Sequence, residues 1–217
     1  MLRGLFVTGT DTNVGKTVTA AAMMHRYRDI VPLRYWKPIQ TGIEQDDDTA
    51  EVARLVECEA AGGLRLRDPV SPHLAAQRSG TRIDLETLRA FLPADADDAR
   101  WIVEGAGGVL VPLNEQELMI DFMRAIGLPV VVVARSALGT INHTLLTVEA
   151  LRARSLCVAG VVMCGERNLD NRAAIEHYGR CRVLGEMPVF QPLTRSALGE
   201  WAAAELDPQG HLLEFLR

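Results

Sequence analysis

The sequence predicts an α/β fold of the P-loop NTPase type, a doubly wound, mostly parallel sheet with helices on both faces. Apolar, strand-like segments alternate with helical segments of about 10–15 residues, which is the pattern of right-handed crossovers between parallel strands. Residues 130–133 are four valines in a row, as expected for a strand buried on both faces. A glycine-containing loop joins the first predicted strand to an alanine-rich helix.

That loop has the sequence GTDTNVGKT at residues 9–17. A loop in this position binds phosphate, because its backbone N–H groups and the positive end of the helix dipole face the same point. Lys16 can reach the outer phosphates of a nucleoside triphosphate, and the Thr17 hydroxyl can ligate Mg²⁺. Five residues separate Gly9 from Gly15, where the usual pattern has four, and the alternative is an ordinary strand-to-helix turn.

The other elements are placed by hydrophobic periodicity and by turn residues. A helix with the apolar face Val52, Leu55 and Val56 follows an acidic run. A third strand at residues 101–104 is predicted to break at the glycines of residues 105–108. In chain order, the predicted elements of the first half are a strand at 5–8, a helix at 16–29, a strand at 33–37, the helix that contains Val52, an irregular segment at 62–83, a helix at 83–92 and the strand at 101–104. The predicted elements of the second half are a helix at 117–126, a strand at 129–134, a helix at 140–153, a strand at 156–163, a helix at 169–179, a strand at 182–186 and a mostly helical tail at 194–217.

Composition limits the classes of partner. Hydrophobic residues make up 48% and the net charge is −5 with mixed signs, which offers no basic face for nucleic acid and no polybasic block for a membrane. The longest apolar run, residues 128–134, is too short to span a bilayer. The four cysteines form no CxxC pair and are most simply reduced thiols, as is usual in the cytoplasm. The chain enters its first predicted strand with no room for a signal peptide, so we expect a cytoplasmic protein. No repeat or linker interrupts residues 1–217, which predicts a single domain.

Ligands in such sheets lie beyond the carboxyl ends of the strands. Lys37 and Glu104 end predicted strands and residues 136–142 follow another, so we expect them to surround the nucleotide. Glu104 is well placed to hold Mg²⁺, the alternative being a solvent-facing strand end. Lys37 could stabilise negative charge between the nucleotide and a second substrate. The five histidines are scattered and form no recognisable catalytic set.

Three further positions could contribute to the site, and two of them allow a second interpretation. Asp48 precedes a helix with Glu51 three residues later, which suits either an N-cap or a metal ligand, and Asp47 is equally eligible. Thr41 offers a hydroxyl near the predicted crevice. The turn at residues 139–142 opens a helix and so suits a carboxylate or phosphate, although Thr140 alone could simply be an N-cap.

Six segments in this order form a specific combination. They are GTDTNVGKT at 9–17, KPIQTG at 37–42, SPH at 71–73, VEGAGG at 103–108, LGTINH at 138–143 and LGEMP at 184–188. Together they span nearly the whole chain and resemble the dethiobiotin synthetases of the biotin pathway. The resemblance implies ATP- and Mg²⁺-dependent ring closure of 7,8-diaminopelargonic acid with carbon dioxide, through a carbamate and a carbamic–phosphoric mixed anhydride, in a homodimer.

The resemblance also assigns roles by position. It places Lys37 and Lys16 in catalysis, the Mg²⁺ ligands at Thr17, Asp48 and Glu104, and substrate contacts at Thr41, Gly139, Thr140, Ile141 and Asn142. It implies nucleotide contacts at Asn13, Val14, Gly15, Lys16, Thr17, Val18, Asp48, Glu104, Gly105, Ala106, Gly107, Cys164, Gly165, Pro188, Val189 and Phe190. Many family members read adenine with an asparagine where this chain has Cys164 and Gly165, and the nearest asparagine is Asn168.

Two other classes share this nucleotide core. A partition- or septum-site-type switch ATPase would have a second lysine early in the loop, where this chain has Thr10 and Asp11. A cobyrinate-type amidation synthetase would need an additional glutaminase domain with a nucleophilic cysteine, for which 217 residues leave no room.

Overall fold

The computed structural model describes residues 2–92, 96 and 99–217. Within these residues seven strands form one sheet, and each strand pairs in parallel with its neighbours. Their order across the sheet is β4 (Ala60–Ala61), β2 (Leu33–Trp36), β6 (Arg100–Gly108), β1 (Arg3–Gly9), β7 (Val130–Arg135), β8 (Val158–Cys164) and β9 (Val183–Met187). Two short strands, β3 (Ile39–Thr41) and β5 (Leu64–Leu66), pair in parallel beside it.

The helices of the described residues connect these strands. They are α1 (Lys16–Tyr27), α2 (Asp48–Val56), α3 (Pro72–Ser79), α4 (Leu85–Arg89), α5 (Met119–Ile126), α6 (Thr140–Arg152), α7 (Leu169–Gly179), α8 (Arg195–Glu205) and α9 (Leu213–Leu216). Among the described residues, no helix combines the length and apolarity needed to cross a membrane.

Each face of the sheet has its own apolar core. Successive side chains of a strand point to opposite faces, so Phe6 lies in one core while Leu5 and Val7 lie in the other. Helices α1, α2 and α8 contribute to the core that contains Val7, and α5 packs in the core that contains Phe6. The predicted doubly wound arrangement, with helices on both faces, is confirmed.

The order of the strands places the phosphate-binding loop at the centre of the sheet. β1 lies between β6 and β7, although the chain passes first to β2 on the far side of β6. Such a reversal of winding opens a crevice at the carboxyl ends of the strands. The loop that follows β1 therefore opens into a crevice with strands on both sides.

Two sequence predictions are wrong. Residues 62–83 are not simply irregular, because they contain β5 and α3; α3 begins at Pro72, a position where proline is compatible with a helix. The third strand does not end at Glu104 but continues through the glycines to Gly108. Pairing with β1 becomes irregular between Glu104 and Gly108, so the glycines distort the strand without ending it.

Smaller differences concern the ends of elements. α1 ends at Tyr27, and the predicted helical tail is two helices, α8 and α9, separated by a connection that contains Asp207. Asp207 accepts hydrogen bonds from Tyr27 and from the backbone of Leu212, which ties this connection to α1.

Candidate functional site

The loop between β1 and α1 has the backbone of an anion-binding turn. Gly15 lies at φ 100°, in the left-handed region that favours glycine, and a Cβ there would come within 3.0 Å of the Cys164 sulfur. α1 begins at Lys16 without a side-chain cap. The N–H groups of its first turn are thus left for an anion, as the sequence predicts.

A compact group of charges lies beside this loop. The Lys37 Nζ is 2.6 Å from Oδ2 of Asp48 and 2.6 Å from Oε1 of Glu104, and it donates to the Gly105 carbonyl at 3.2 Å. Lys37 and Glu104 are almost fully buried, at 4% and 1% exposure. Lys37 follows β2 directly, while Glu104 lies inside the neighbouring strand β6, and this adjacency brings the two together.

Thr17 lies between the same two carboxylates. Its Oγ1 is 2.8 Å from Oδ1 of Asp48 and 3.1 Å from Oε1 of Glu104. A hydroxyl carries one hydrogen, so Thr17 cannot donate to both carboxylates at once. Its oxygen and the two carboxylates do form a set of hard oxygen ligands of the kind that Mg²⁺ prefers. The residues therefore fit the cation that the resemblance implies.

This set is incomplete as a metal site on its own. Among the described residues, no cluster of three or more His, Cys, Asp or Glu side chains is arranged to hold a metal ion. A cation beside Thr17 would need phosphate oxygens and water to complete its coordination, which is typical of Mg²⁺ bound with a nucleotide.

The structure separates the two aspartates that the sequence left equivalent. Asp47 is the N-cap of α2: its carboxylate accepts from the Ala50 N–H at 3.1 Å and pairs with Arg65. Asp48 is the first residue of the helix, and its carboxylate points to Thr17 and Lys37. The capping role thus belongs to Asp47, and Asp48 is free of it.

The electrostatics keep this group charged. Burial opposes the charge of Lys37, but Glu104 and Asp48 outweigh it and hold the pKa of Lys37 above its ordinary value. Burial likewise opposes the charge of Asp48, but Lys37 and Thr17 hold the pKa of Asp48 below its ordinary value. Lys16 differs, because burial and the charge of Lys37 lower its pKa.

Tyr35 is a member of the group that the sequence analysis missed. It is fully buried, and its hydroxyl donates to Oε2 of Glu104 at 2.7 Å. Burial, and then the charge of Glu104, raise the pKa of Tyr35 well above its ordinary value. Tyr35 could have been found from its position two residues before Lys37, because side chains two residues apart lie on the same face of a strand.

Two clefts flank the loop. The first, of about 940 Å³, holds the charged group together with residues around Thr41, Pro69 and Val111. The second, of about 580 Å³, lies on the other side, along the ends of β8 and β9. Asn13, Gly15 and Val18 line both clefts, so the loop forms their common wall.

The predicted site residues divide between these clefts. The first is lined by Asn13, Gly15, Lys16, Thr17, Val18, Lys37, Thr41, Asp48, Glu104, Ala106 and Gly107. The second is lined by Asn13, Val14, Gly15, Val18, Cys164, Gly165, Pro188, Val189 and Phe190. Gly105 lines neither, although its carbonyl accepts from Lys37. Gly139, Thr140, Ile141 and Asn142 also lie outside both.

The turn at residues 139–142 differs from its predicted form in one respect. Gly139, at φ 94°, is the N-cap of α6, and Thr140 is the first helical residue. The Thr140 hydroxyl lies 3.4 Å from that of Thr144, so the interpretation of Thr140 as an N-cap is wrong. Leu138 is fully exposed beside this turn, and Asn142 is also exposed.

The second cleft combines apolar side chains with the polar Ser136 and Asn168 and the exposed Arg135 and Arg167. Burial raises the pKa of the Cys164 thiol to about 12, and the nearest hydroxyl to its sulfur is that of Thr19, at 3.8 Å. Asn168 also lines this cleft, but its side-chain oxygen accepts from the Asn171 N–H at 2.9 Å and caps α7.

Comparison with solved structures supports the fold. A ParA family ATPase from Chlorobium tepidum superposes with a TM-score of 0.54 over 99% of this chain and 97% of that chain, at 9% identity. Likeness at this identity shows the architecture alone, which is the P-loop NTPase architecture predicted from the sequence.

Comparison with sequence families is more specific. A family model described as an AAA domain matches residues 3–197. The ATP-dependent dethiobiotin synthetase BioD of Paramagnetospirillum magneticum is 49% identical over 91% of this chain and 93% of its own length. The protein of the same name from Bradyrhizobium diazoefficiens is 44% identical over 91% of this chain and 92% of its own length. The chain therefore belongs to the dethiobiotin synthetase family of enzymes.

Proposed function

We propose that this chain, as a single P-loop NTPase-like domain over residues 1–217, closes the ureido ring of dethiobiotin. The substrates are 7,8-diaminopelargonic acid, carbon dioxide or bicarbonate, and ATP, and Mg²⁺ is the cofactor. The observation that carries the proposal is the buried Lys37 between Asp48 and Glu104, at the edge of a phosphate-binding loop. We propose a cytoplasmic location, with neither nucleic acid nor membrane as a partner.

The reaction proceeds in three steps. One amine of the substrate adds carbon dioxide and loses a proton, which gives a carbamate. A carbamate oxygen attacks the γ-phosphorus of ATP, the bond to the β-phosphate breaks, and ADP leaves. The second amine then attacks the carbonyl carbon of the mixed anhydride, and inorganic phosphate is expelled as the ring closes.

The chain contributes mainly position and charge, which is what phosphoryl transfer requires. The N–H groups after Gly15 and the Lys16 ammonium hold the triphosphate. Thr17, Asp48 and Glu104 would hold Mg²⁺, which when bound neutralises part of the phosphate charge. Lys37, kept charged by its carboxylate neighbours, stabilises the negative charge that develops between the carbamate and the γ-phosphate.

The two clefts divide the substrates. The charged first cleft, with the Thr41 hydroxyl, suits the diamine and its carbamate. The second cleft suits the nucleoside, because it adjoins the same loop and is lined by Pro188, Val189 and Phe190. In this proposal Asn13 and Val18, which line both clefts, lie with Val14 between base and phosphates, and Ala106 and Gly107, which line the first cleft from β6, face the phosphates.

The turn at residues 139–142 completes the site of a second subunit. It lies outside both clefts of its own chain, and Leu138 beside it is fully exposed. The free N–H groups at the start of α6 suit the carboxylate of the substrate. We therefore propose that the active unit is a homodimer in which this turn reaches the partner's first cleft.

Product analysis tests the proposed function. The protein is incubated with the diamine, bicarbonate, ATP and Mg²⁺, and the products are identified by mass spectrometry. We expect dethiobiotin and ADP in equal amounts, and ATP turnover that requires the diamine and bicarbonate together. ATP hydrolysis that is indifferent to both, and is stimulated by DNA or lipid vesicles, would instead support a switch ATPase.

A further inference from the structure

The inference concerns Tyr35 and the carboxylate of Glu104. β2 and β6 are parallel neighbours in which Tyr35 is in register with Ile102. Side chains two residues apart on a strand share a face, so Lys37 follows Tyr35 and Glu104 follows Ile102 on the same face of the sheet. The β2 segment thus presents both a hydroxyl and an ammonium to one carboxylate of β6.

The two oxygens of Glu104 have different neighbours. Oε1 faces the first cleft, 2.6 Å from the Lys37 Nζ and 3.1 Å from the Thr17 hydroxyl. Oε2 points back toward the core and accepts from the Tyr35 hydroxyl at 2.7 Å. Because Glu104 is 1% exposed, water does not freely replace either partner. A buried carboxylate oxygen that loses its donor is strongly disfavoured, so the Tyr35 bond restrains rotation of the whole group.

We propose that Tyr35 is a positioning residue, whose hydroxyl holds Oε2 of Glu104 so that Oε1 remains directed at Thr17 and at the cation site. The inference rests on the proposed function in that it takes this cleft to bind Mg²⁺ with a nucleotide. It adds a residue that touches neither the cation nor the substrates.

The alternative is that Tyr35 only packs in the core. Its ring lies in the core with Val7, Val52 and Ile102, so a stability effect of substitution is expected in either case. A change in metal affinity distinguishes the two, because a packing role alone would not move it. Loss of a hydrogen-bonding partner behind a metal ligand typically weakens metal binding about 10–100-fold.

The chain provides a matched control in Tyr27. It is also fully buried, and its hydroxyl also donates to a buried carboxylate, that of Asp207. That pair joins α1 to the connection between α8 and α9 rather than the cleft. Tyr35→Phe and Tyr27→Phe therefore make the same chemical change in the same kind of environment.

The experiment measures Mn²⁺ binding by electron paramagnetic resonance, with a non-hydrolysable ATP analogue present and both variants held below their unfolding temperatures. We expect Tyr35→Phe to bind Mn²⁺ about 10–100-fold more weakly than wild type, and Tyr27→Phe to bind like wild type. We expect both to unfold at a lower temperature. Excess Mg²⁺ should restore the turnover of Tyr35→Phe, because the cation site is misplaced rather than removed.

The outcomes separate this inference from the proposed function. Equal Mn²⁺ affinity in Tyr35→Phe and wild type would overturn the positioning role and leave the function intact. Wild type that binds no Mn²⁺ beyond what the free analogue holds would overturn both. As a second variant, 3-fluorotyrosine at position 35 keeps the hydroxyl and should bind Mn²⁺ within about three-fold of wild type. Weak binding by that variant would overturn the role assigned to the Tyr35 hydroxyl.

Discussion

The two clefts beside the phosphate-binding loop are built on different principles. In the first, charged side chains fix one another: Lys37 lies between Asp48 and Glu104, which in turn accept from Thr17 and Tyr35. In the second, apolar side chains and the weakly polar Cys164 thiol lie beside Ser136 and Asn168, and the charged side chains, such as Arg135 and Arg167, are exposed to solvent. Substitution should therefore have large effects in the first cleft and small ones in the second.

The distribution of lysine reinforces this contrast. Lys16 and Lys37 are the two lysines of the sequence, and its other strongly basic side chains are arginines. Both lysines are buried at the first cleft, at 8% and 4% exposure. An ammonium is a compact charge that can approach phosphate and carboxylate oxygens closely, whereas a guanidinium is broad and planar. The first cleft is thus where this chain uses the compact cation.

The largest effect is expected from Lys37→Ala. In the proposed mechanism the variant loses the cation nearest the reacting atoms, and groups of this kind contribute about 2.7–4 kcal/mol to the transition state. We expect kcat to fall about 10²–10³-fold. The dissociation constant of ATP should change far less, because the loop and Lys16 still hold the phosphates. Turnover is measured by ADP release and binding by calorimetry.

The control for Lys37→Ala is Arg65→Ala. Arg65 pairs with Asp47, the N-cap of α2, and this ion pair is largely accessible to solvent. An exposed ion pair contributes little, about 0–1 kcal/mol, so this variant should keep near-normal turnover. Lys37→Ala with wild-type kcat would remove the catalytic assignment and the contrast between the clefts.

The next largest effect concerns the proposed homodimer. If the turn at residues 139–142 serves the partner's first cleft, Lys37→Ala and Asn142→Ala damage different halves of one composite site. A mixture of the two inactive variants should recover activity through hybrid dimers with one intact site, up to about a quarter of wild type. The measurement is turnover after subunit exchange. Full exchange, verified by mass spectrometry, with no gain in turnover would contradict a shared site.

The sequence predicted the first cleft well because its chemistry lies in side chains at strand ends. The loop motif and the alternation of elements place Lys16, Thr17 and Lys37 around one point without knowledge of packing. Glu104 was correctly expected at this crevice although the strand was expected to stop there. β6 continues because its pairing with β1 resumes at Gly108, a long-range contact that a local glycine signal does not reveal.

Much of what the sequence did not predict depends on long-range geometry. The residue pattern left Asp47 and Asp48 equivalent, and only the family resemblance selected Asp48; in the structure Asp47 caps α2 and pairs with Arg65 of β5. The sequence analysis did not single out Tyr35, whose hydroxyl acquires a partner only through the register of β2 with β6. The capping of α7 by Asn168 was also not predicted, although it is a local contact with the N–H of Asn171 three residues later.

A moderate effect is expected from acid. The pKa of Asp48 lies below its ordinary value of 3.8, because the attraction of Lys37 exceeds the cost of burial. A carboxyl group with a lowered pKa stabilises the folded state above its unfolded pKa, and this stability is lost as pH falls through the folded pKa. The difference in unfolding free energy between wild type and Asp48→Asn should be largest near pH 6 and should shrink below about pH 4.

Urea unfolding at a series of pH values checks the expectation for Asp48. Asp47→Asn is the comparison variant, because the pKa of Asp47 is also lowered, chiefly by its hydrogen bond with Arg65. That pair is solvent-exposed, so its pH-dependent contribution should be the smaller of the two. A larger contribution from Asp47 would contradict the view that the buried charges dominate.

The smallest effect is expected in the second cleft, from Cys164→Asn. An amide both donates and accepts, so it can read a base edge with paired hydrogen bonds, whereas a thiol is weak in both roles. Asn168 is a poor substitute, because turning toward the base would give up its cap on α7, worth about 0.5–2 kcal/mol.

Wild type should thus discriminate weakly among ATP, GTP and CTP, as judged by kcat/KM. Cys164→Asn should favour ATP by a further two- to ten-fold, the equivalent of about 0.5–1.5 kcal/mol, while Cys164→Ala should not. Strong rejection of GTP and CTP by wild type, unchanged in Cys164→Asn, would mean that backbone groups near Val189 already read the base.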